Sequence, residues 1–136
     1  MSWSVEAGAF ALVGLAEPPT PGDLECLSRP PSQVVVEDGE TTLLLAEADA
    51  GAVIERHPGA RVQRDLAWIR FETPMGWEVV GFLAHVAGEL ARAGVPIGAV
   101  CGFSRDHLFV ARSRLPAARA ALARLFPEAR RGRASG

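Results

Sequence analysis

The sequence predicts an α+β fold in which helices cover one face of antiparallel sheets. Short apolar runs come in pairs around turn residues, as they do in β-hairpins. Two later segments repeat apolar residues at three- and four-residue spacing, as amphipathic helices do. With 136 residues, of which 49% are hydrophobic, the chain has room for one domain or for two small halves that share a core.

The first elements along the chain are strands. Residues 8–16 form an apolar run that a proline-rich link closes, which is typical of a buried strand. Residues 33–37 and 41–46 flank the turn dipeptide Asp38-Gly39 and predict an antiparallel hairpin. From residue 47 to residue 62 the pattern is weak, and we expect one or two helical turns at most.

Residues 66–72 alternate in polarity, which predicts a strand with two different faces. Ala67, Ile69 and Phe71 form the core face. The opposite face combines Trp68 with charged side chains, so we expect the chain to cover it only in part and to leave surface for a partner.

The clearest helix covers residues 78–93, where Val79, Val86 and Leu90 belong to one apolar stripe and Gly94 supplies the stop. Small residues, including Gly81, lie on another side of this helix.

A second strand pair and a helix follow. Residues 97–103 and 107–111 predict the two strands, with Cys101 and Phe103 on the same face of the first. Residues 114–126 carry a second apolar stripe and predict the last helix.

The order of these elements is similar in the two halves of the chain. Each half corresponds to a fragment of the split β-α-β arrangement of ferredoxin-like folds. We therefore place the N-terminal half at residues 1–62 and the C-terminal half at residues 63–136, with a mobile tail from about residue 128.

The second half also resembles a known family. The segments that carry the resemblance are Trp68-Ile69-Arg70-Phe71, Gly81-Phe82-Leu83-Ala84, residues 90–97 and residues 102–110. They are similar to the ACT-like domains of small bacterial tandem ACT proteins, which are related to the CASTOR arginine sensors of animals. The first half matches more loosely, through residues 10–15 and 38–43. The sequence departs from the family at Arg105, where threonine is common, and lacks the tryptophan that many relatives carry after the proline-rich link.

The resemblance implies two ACT-like halves, a non-catalytic regulatory or sensor protein, and a homodimer as the assembly. It further implies that a free amino acid or a similar small zwitterion binds near the start of the main helix. The residues that this places at the site are Gly81, Phe82, Leu83, Phe103, Ser104 and Asp106.

Physical chemistry supports such a site and also offers simpler explanations. Unpaired amides at a helix start favour an anion such as an α-carboxylate, and the Asp106 carboxylate can accept hydrogen bonds from an ammonium group. Alternatively, Gly81, Ala84 and Gly88 serve only close packing, and Asp106 only caps the backbone of its own turn. A phenylalanine at a strand end, such as Phe103, is often simply part of the core.

Other chemistry finds little support in the sequence. The three histidines and two cysteines show no metal-binding spacing, so we expect no metal and no cofactor. Cys101 lies inside an apolar strand, where a thiol is inert. The sequence has no nucleophile elbow and no lysine for a phosphate-binding loop. We expect no catalytic residues.

The charge balance excludes further classes of partner. The net charge of −2 comes from scattered residues, so no strong field attracts nucleic acid or an anionic membrane. The sequence contains neither an apolar run long enough for a membrane helix nor a recognisable signal peptide, and we expect a cytoplasmic protein.

Three functional hypotheses remain. The first is an amino-acid sensor. The second is a protein interaction or dimerisation module with no small ligand, in which the Trp68 face binds its partner. The third, a small enzyme using Asp106 and His107, is disfavoured because adjacent residues on a strand point to opposite faces.

Overall fold

The computed structural model describes residues 1–129, and the elements in that range confirm the predicted α+β class. The strands are β1 (Trp3–Val5), β2 (Phe10–Leu15), β3 (Gln33–Glu37), β4 (Glu40–Ala46), β5 (Arg61–Phe71), β6 (Gly98–Cys101) and β7 (Asp106–Ala111). The helices are α1 (Pro21–Glu25), α2 (Glu47–Arg56), α3 (Phe82–Arg92) and α4 (Leu115–Ala123). Most of the tail that was predicted to be mobile, residues 130–136, lies outside the described residues.

The chain divides into two compact units. Residues 8–66 form the N-terminal unit, in which β3, β4, β2 and the first part of β5 are neighbours in that order. Each neighbouring pair is antiparallel. Helix α2 packs Ala50 and Val53 into the same core as the inward residues of β2 and β4.

The C-terminal unit consists of residues 1–7 together with residues from 67 onward. In it, β1 pairs antiparallel with the last part of β5, β5 neighbours β7, and β7 pairs antiparallel with β6. Its core confirms the predicted inward face of β5, because Ala67, Ile69 and Phe71 are fully buried. The helices contribute Val86 and Leu90 from α3 and a stripe of α4.

The first seven residues therefore belong to the C-terminal unit, whereas the sequence placed them in the N-terminal half. Strand β1 pairs Trp3 with Phe71, and the Trp3 indole N–H donates a 2.9 Å hydrogen bond to the carbonyl of Phe126. A strand of three residues is too short to show alternation, which explains why the sequence did not predict it.

Three elements of the N-terminal unit differ from the expectations. Helix α1 was not predicted; it starts with a capping box in which the side chains of Thr20 and Asp23 each bond the backbone amide of the other. Helix α2 has ten residues, longer than the one or two turns expected. Strand β5 begins at Arg61, five residues before the predicted start.

Helix α3 begins at Phe82 and not at Glu78 as predicted. Gly81 precedes it with φ = 87°, a left-handed conformation that lies outside helical geometry and that side chains with a Cβ rarely adopt. Val79, which was assigned to the buried stripe, is consequently exposed in the segment before the helix.

Candidate functional site

A pocket of about 250 Å³ lies in the C-terminal unit between the start of α3 and the turn that joins β6 to β7. The segment that precedes α3 supplies its third wall. The lining residues are Met75, Gly76, Trp77, Val79, Gly81, Phe82, Leu83, Ala84, Cys101, Gly102, Phe103, Arg105 and Asp106.

Backbone hydrogen bonds hold the walls of this pocket in place. The amide of Met75 donates a 2.6 Å hydrogen bond to the carbonyl of Ser104, which joins the segment before α3 to the β6–β7 turn. The amide of Gly102 donates to the carbonyl of Arg105 at 3.0 Å and closes that turn. Main-chain groups make both bonds, so they fix the backbone of the segment before α3 and of the β6–β7 turn relative to each other.

The start of α3 has no side-chain cap. No side chain accepts a hydrogen bond from the first amides of α3 within the described part of the chain, and Phe82, Leu83 and Ala84 all line the pocket. Helix α1, in contrast, starts with the capping box described above. Amides at a helix start have no partner within the helix, so those of α3 are available to an anion.

The structure places five of the six predicted site residues on this pocket: Gly81, Phe82, Leu83, Phe103 and Asp106. Ser104 lines an adjoining groove with Met75 and Trp77. The geometry brings the predicted residues together, and ligand binding by them stays a prediction.

The packing explanation for Gly81 finds no support within the described chain. A Cβ built on Gly81 would meet no atom within 4 Å, and one on Gly88 would meet only the flexible end of Arg92 at 3.8 Å. Close approach to another element therefore explains neither glycine, and the positive φ of Gly81 explains why a glycine is needed there.

The capping explanation for Asp106 also finds no support. Asp106 is half-buried, and none of the hydrogen bonds within residues 1–129 runs from a turn amide to its carboxylate. The turn is closed instead by the backbone bond between Gly102 and Arg105. Asp106 is one of the residues that line the pocket.

Arg105 is a pocket residue that the sequence reasoning did not assign to the site. Its Nε is buried and has no hydrogen-bond partner among the residues the structure describes. A buried guanidinium nitrogen without a partner is unusual, because the desolvation of such a donor costs free energy. Two signals in the sequence could have identified Arg105 as a site residue. It is next to Asp106, and it departs from the family pattern.

Large apolar side chains stand exposed beside the pocket. Trp77 is 92% exposed, Val80 94% and Phe103 fully exposed. Phe103 is therefore not a core residue, because it lies beyond the end of β6 in the turn. Exposed aromatic side chains beside a pocket are characteristic of surfaces that a ligand or partner covers.

His107 and Asp106 do not serve one site. The Trp68 indole N–H donates a 3.1 Å hydrogen bond to His107 Nδ1, and the two rings are 5.6 Å apart, so this histidine packs on the Trp68 face. Burial lowers the pKa of His107, and the nearby Arg105 and Arg70 lower it further. His107 is thus neutral at pH 7 and does not line the pocket that Asp106 lines.

Metal chemistry finds no support in the described residues. No three His, Cys, Asp or Glu side chains of residues 1–129 are arranged to hold a metal ion. Cys101, expected inside an apolar strand, is exposed, because β6 ends there at the rim of the pocket. No helix within the same range is long and apolar enough to cross a bilayer.

A buried polar cluster lies in the N-terminal unit. His57 Nε2 is 2.8 Å from Asp23 Oδ2, and His57 Nδ1 is 3.0 Å from Glu17 Oε1. The Arg56 Nε donates to the other Asp23 oxygen at 2.9 Å. Asp23 and His57 are both buried, so this cluster joins the start of α1 to the end of α2.

The charges of this cluster stabilise one another. Burial alone would raise the pKa of Asp23, but hydrogen bonds from the Thr20 amide, His57 and Arg56 outweigh it and lower the pKa to about 2. Hydrogen bonds to Glu17 and Asp23 raise the pKa of His57 above its usual value of 6.5. Every group of the cluster has a partner, which indicates a structural role.

Comparison with solved structures shows that the protein has the fold of ACT-like regulatory domains, and this confirms the predicted ferredoxin-like class. Protein Atu0741 from Agobacterium tumefaciens superposes with a TM-score of 0.74 at 20% identity, over 93% of this chain and 90% of that one. VC0802 from Vibrio cholerae, a protein of unknown function, superposes with a TM-score of 0.68 at 23% identity, over 90% of this chain and 88% of that one.

The regulatory subunit of aspartate kinase from Thermus thermophilus, in its ligand-free form, matches with a TM-score of 0.64 at 14% identity, over 93% of this chain and 97% of that one. No family model matches the sequence, and comparison with curated proteins gives no match. At these identities the likenesses establish the fold.

Proposed function

We propose that this protein is a non-catalytic regulatory or sensor protein that binds a free amino acid, or a similar small zwitterion, in the pocket of the C-terminal unit. The observation that carries the proposal is that one pocket is lined both by the uncapped start of α3 and by Asp106. These two features offer opposite charges within one small volume.

Each end of an amino acid has a partner in this arrangement. The α-carboxylate binds the free amides at the start of α3, where the helix dipole also favours a negative charge. The α-ammonium donates to the Asp106 carboxylate. A charge-assisted hydrogen bond of this kind contributes about 1.5–3 kcal/mol.

The structural likeness to the aspartate kinase regulatory subunit supports a regulatory role rather than an enzymatic one. With the sequence resemblance, it also supports membership in the tandem ACT-like family, two ACT-like halves and a homodimer as the working assembly. We place the protein in the cytoplasm, without nucleic-acid or membrane partners.

A thermal-shift screen of the twenty amino acids tests the proposal. A ligand at 100 times its Kd stabilises the folded protein by about 2.7 kcal/mol, which shifts the Tm by several degrees. Asp106→Asn should reduce or abolish the shift. Asp38→Asn is the matched control, since Asp38 is an exposed acidic residue in a hairpin turn and Asn-Gly suits such a turn equally well. Absence of any shift at millimolar concentrations would contradict the proposal.

An interaction or dimerisation module with no small ligand is the alternative function. The exposed side chains of Trp77, Val80 and Phe103 favour it, whereas Trp68, first considered for this role, is half-buried against His107. Sedimentation analysis separates the two functions. In an interaction module, Trp77→Glu dissociates the assembly, Asp106→Asn leaves it unchanged, and no amino acid shifts the Tm.

A further inference from the structure

Resting on the proposed function, we infer that the pocket selects amino acids with a large apolar side chain over charged and small ones. The inference comes from the composition of the pocket walls and from the exposed aromatic side chains at the rim.

The charged groups of the pocket match the two charged groups that every free amino acid carries, the α-carboxylate and the α-ammonium. Arg105 and Asp106 are the two charged residues on the lining, within the part of the chain that the structure describes. They form an opposite pair, as the α-carboxylate and α-ammonium do. The Arg105 guanidinium on this lining is a hydrogen-bond donor for the carboxylate.

The rest of the wall does not suit a charged side chain. Met75, Val79, Phe82 and Leu83 line the pocket and offer no group that could pair with a third charge. A charged side chain would lose part of its hydration against these residues without a compensating bond, which is unfavourable. Arginine, lysine, aspartate and glutamate are therefore disfavoured.

The exposed side chains of Trp77 and Phe103 line the same pocket and favour a large apolar ligand over a small one. Both can bury part of their surface against an apolar side chain, whereas alanine or glycine would leave the aromatic rings in water. The volume of about 250 Å³ lies just below the range of about 300–1,000 Å³ typical of pockets for drug-sized ligands, which suits a single amino acid.

Isothermal titration of the full chain with phenylalanine, leucine, methionine, alanine, arginine and glutamate tests the inference. Burial of one large apolar side chain corresponds to an affinity difference of about 10- to 150-fold. We expect the three apolar amino acids to bind more tightly than alanine, arginine and glutamate by a factor in this range. Trp77→Ser should remove most of the preference over alanine, and Val36→Ser, at an exposed apolar position of β3, should leave it unchanged.

Fluorescence gives a second measurement. The chain has three tryptophans, of which Trp3 is buried, Trp68 half-buried and Trp77 exposed. Phenylalanine should shift the emission to shorter wavelength by covering Trp77, and the shift should be absent in Trp77→Phe.

The possible outcomes separate the two proposals. If arginine, glutamate or alanine binds as tightly as leucine, the inference about selectivity is overturned while amino-acid binding stands. Should none of the twenty amino acids bind, the proposed function itself is overturned, and the inference with it.

Discussion

The amide of Met75 donates a 2.6 Å hydrogen bond to the carbonyl of Ser104, across 29 positions of sequence. This bond joins the segment before α3 to the β6–β7 turn. Trp77 from that segment and Phe103 from the turn therefore line the same pocket. The shape of the turn consequently controls the position of both walls, and the residues that allow that shape are the first to test.

Gly102→Ala should destabilise the β6–β7 turn and weaken ligand binding. A Cβ at Gly102 would lie 2.7 Å from the Arg105 carbonyl oxygen and 3.1 Å from His107 Nε2, so the backbone must shift. Overpacking of this kind costs about 1–3 kcal/mol. Gly98→Ala, where the nearest atom is the Phe109 carbonyl oxygen at 3.9 Å, is the control. Urea unfolding should rank Gly102→Ala as the less stable variant, and equal stabilities would contradict the prediction.

Two glycines near and within α3 should respond to alanine in opposite directions. Gly81→Ala must hold φ = 87°, which costs roughly 1–2 kcal/mol for a residue with a Cβ. Gly88→Ala should instead stabilise the protein by about 0.5–1 kcal/mol, because alanine favours the helix interior and only Arg92 lies within 4 Å. Thermal unfolding measures both changes. A stabilising Gly81→Ala would show that the left-handed conformation is not required.

The sequence predicted much of the fold because its signals are local. The Asp38-Gly39 turn, the alternation around Ile69 and the stripe of Val86 and Leu90 each depend on neighbouring residues, and the structure contains all three elements. Strand β1 escaped prediction because its three residues are too few to show alternation, and its partner in β5 lies more than sixty residues away.

The site could be predicted only in part. The positions of Gly81 and Asp106 followed from the family resemblance, and the structure places both on one pocket. The contribution of Met75 and Trp77 depends on how the segment before α3 folds back to the β6–β7 turn, which a backbone hydrogen bond determines and no sequence pattern records. The exposure of Phe103 was likewise hidden, because an aromatic residue after an apolar strand resembles a core residue.

Trp3→Phe should show that the first strand is integral to the C-terminal unit. Trp3 is fully buried and its indole N–H donates to the Phe126 carbonyl at 2.9 Å. Phenylalanine keeps most of the apolar surface but removes the donor, which leaves a partly buried carbonyl with one bond fewer and costs about 1–3 kcal/mol. Trp77→Phe is the same substitution at an exposed position and should change the unfolding free energy by less than about 0.5 kcal/mol. Similar effects of the two changes would contradict a structural role for Trp3.

The buried cluster around His57 should make stability depend on pH in two ranges. The pKa of Asp23 is lowered to about 2 in the folded protein, so its contribution is present above pH 4 and is lost as the pH falls toward 2. The pKa of Glu17 is also lowered, chiefly by its hydrogen bond with His57. Its contribution to stability is therefore likewise lost as the pH falls. The pKa of His57 is raised, so its contribution is complete below pH 6.5 and is lost as the pH rises through the raised value.

His57→Gln should remove the loss of stability that occurs at higher pH when His57 loses its proton. We expect the difference in unfolding free energy between the parent protein and His57→Gln to be largest between pH 4.5 and 6.5 and to decrease above that range. Taking the difference cancels the opposite contribution of His107, whose pKa is lowered by burial. His85→Gln, at an exposed position of α3, is the control and should give a difference near zero. A His57→Gln difference that stays constant from pH 5 to pH 9 would mean that the imidazole is held by its hydrogen bonds alone, without a charge, because only a proton-linked interaction changes with pH.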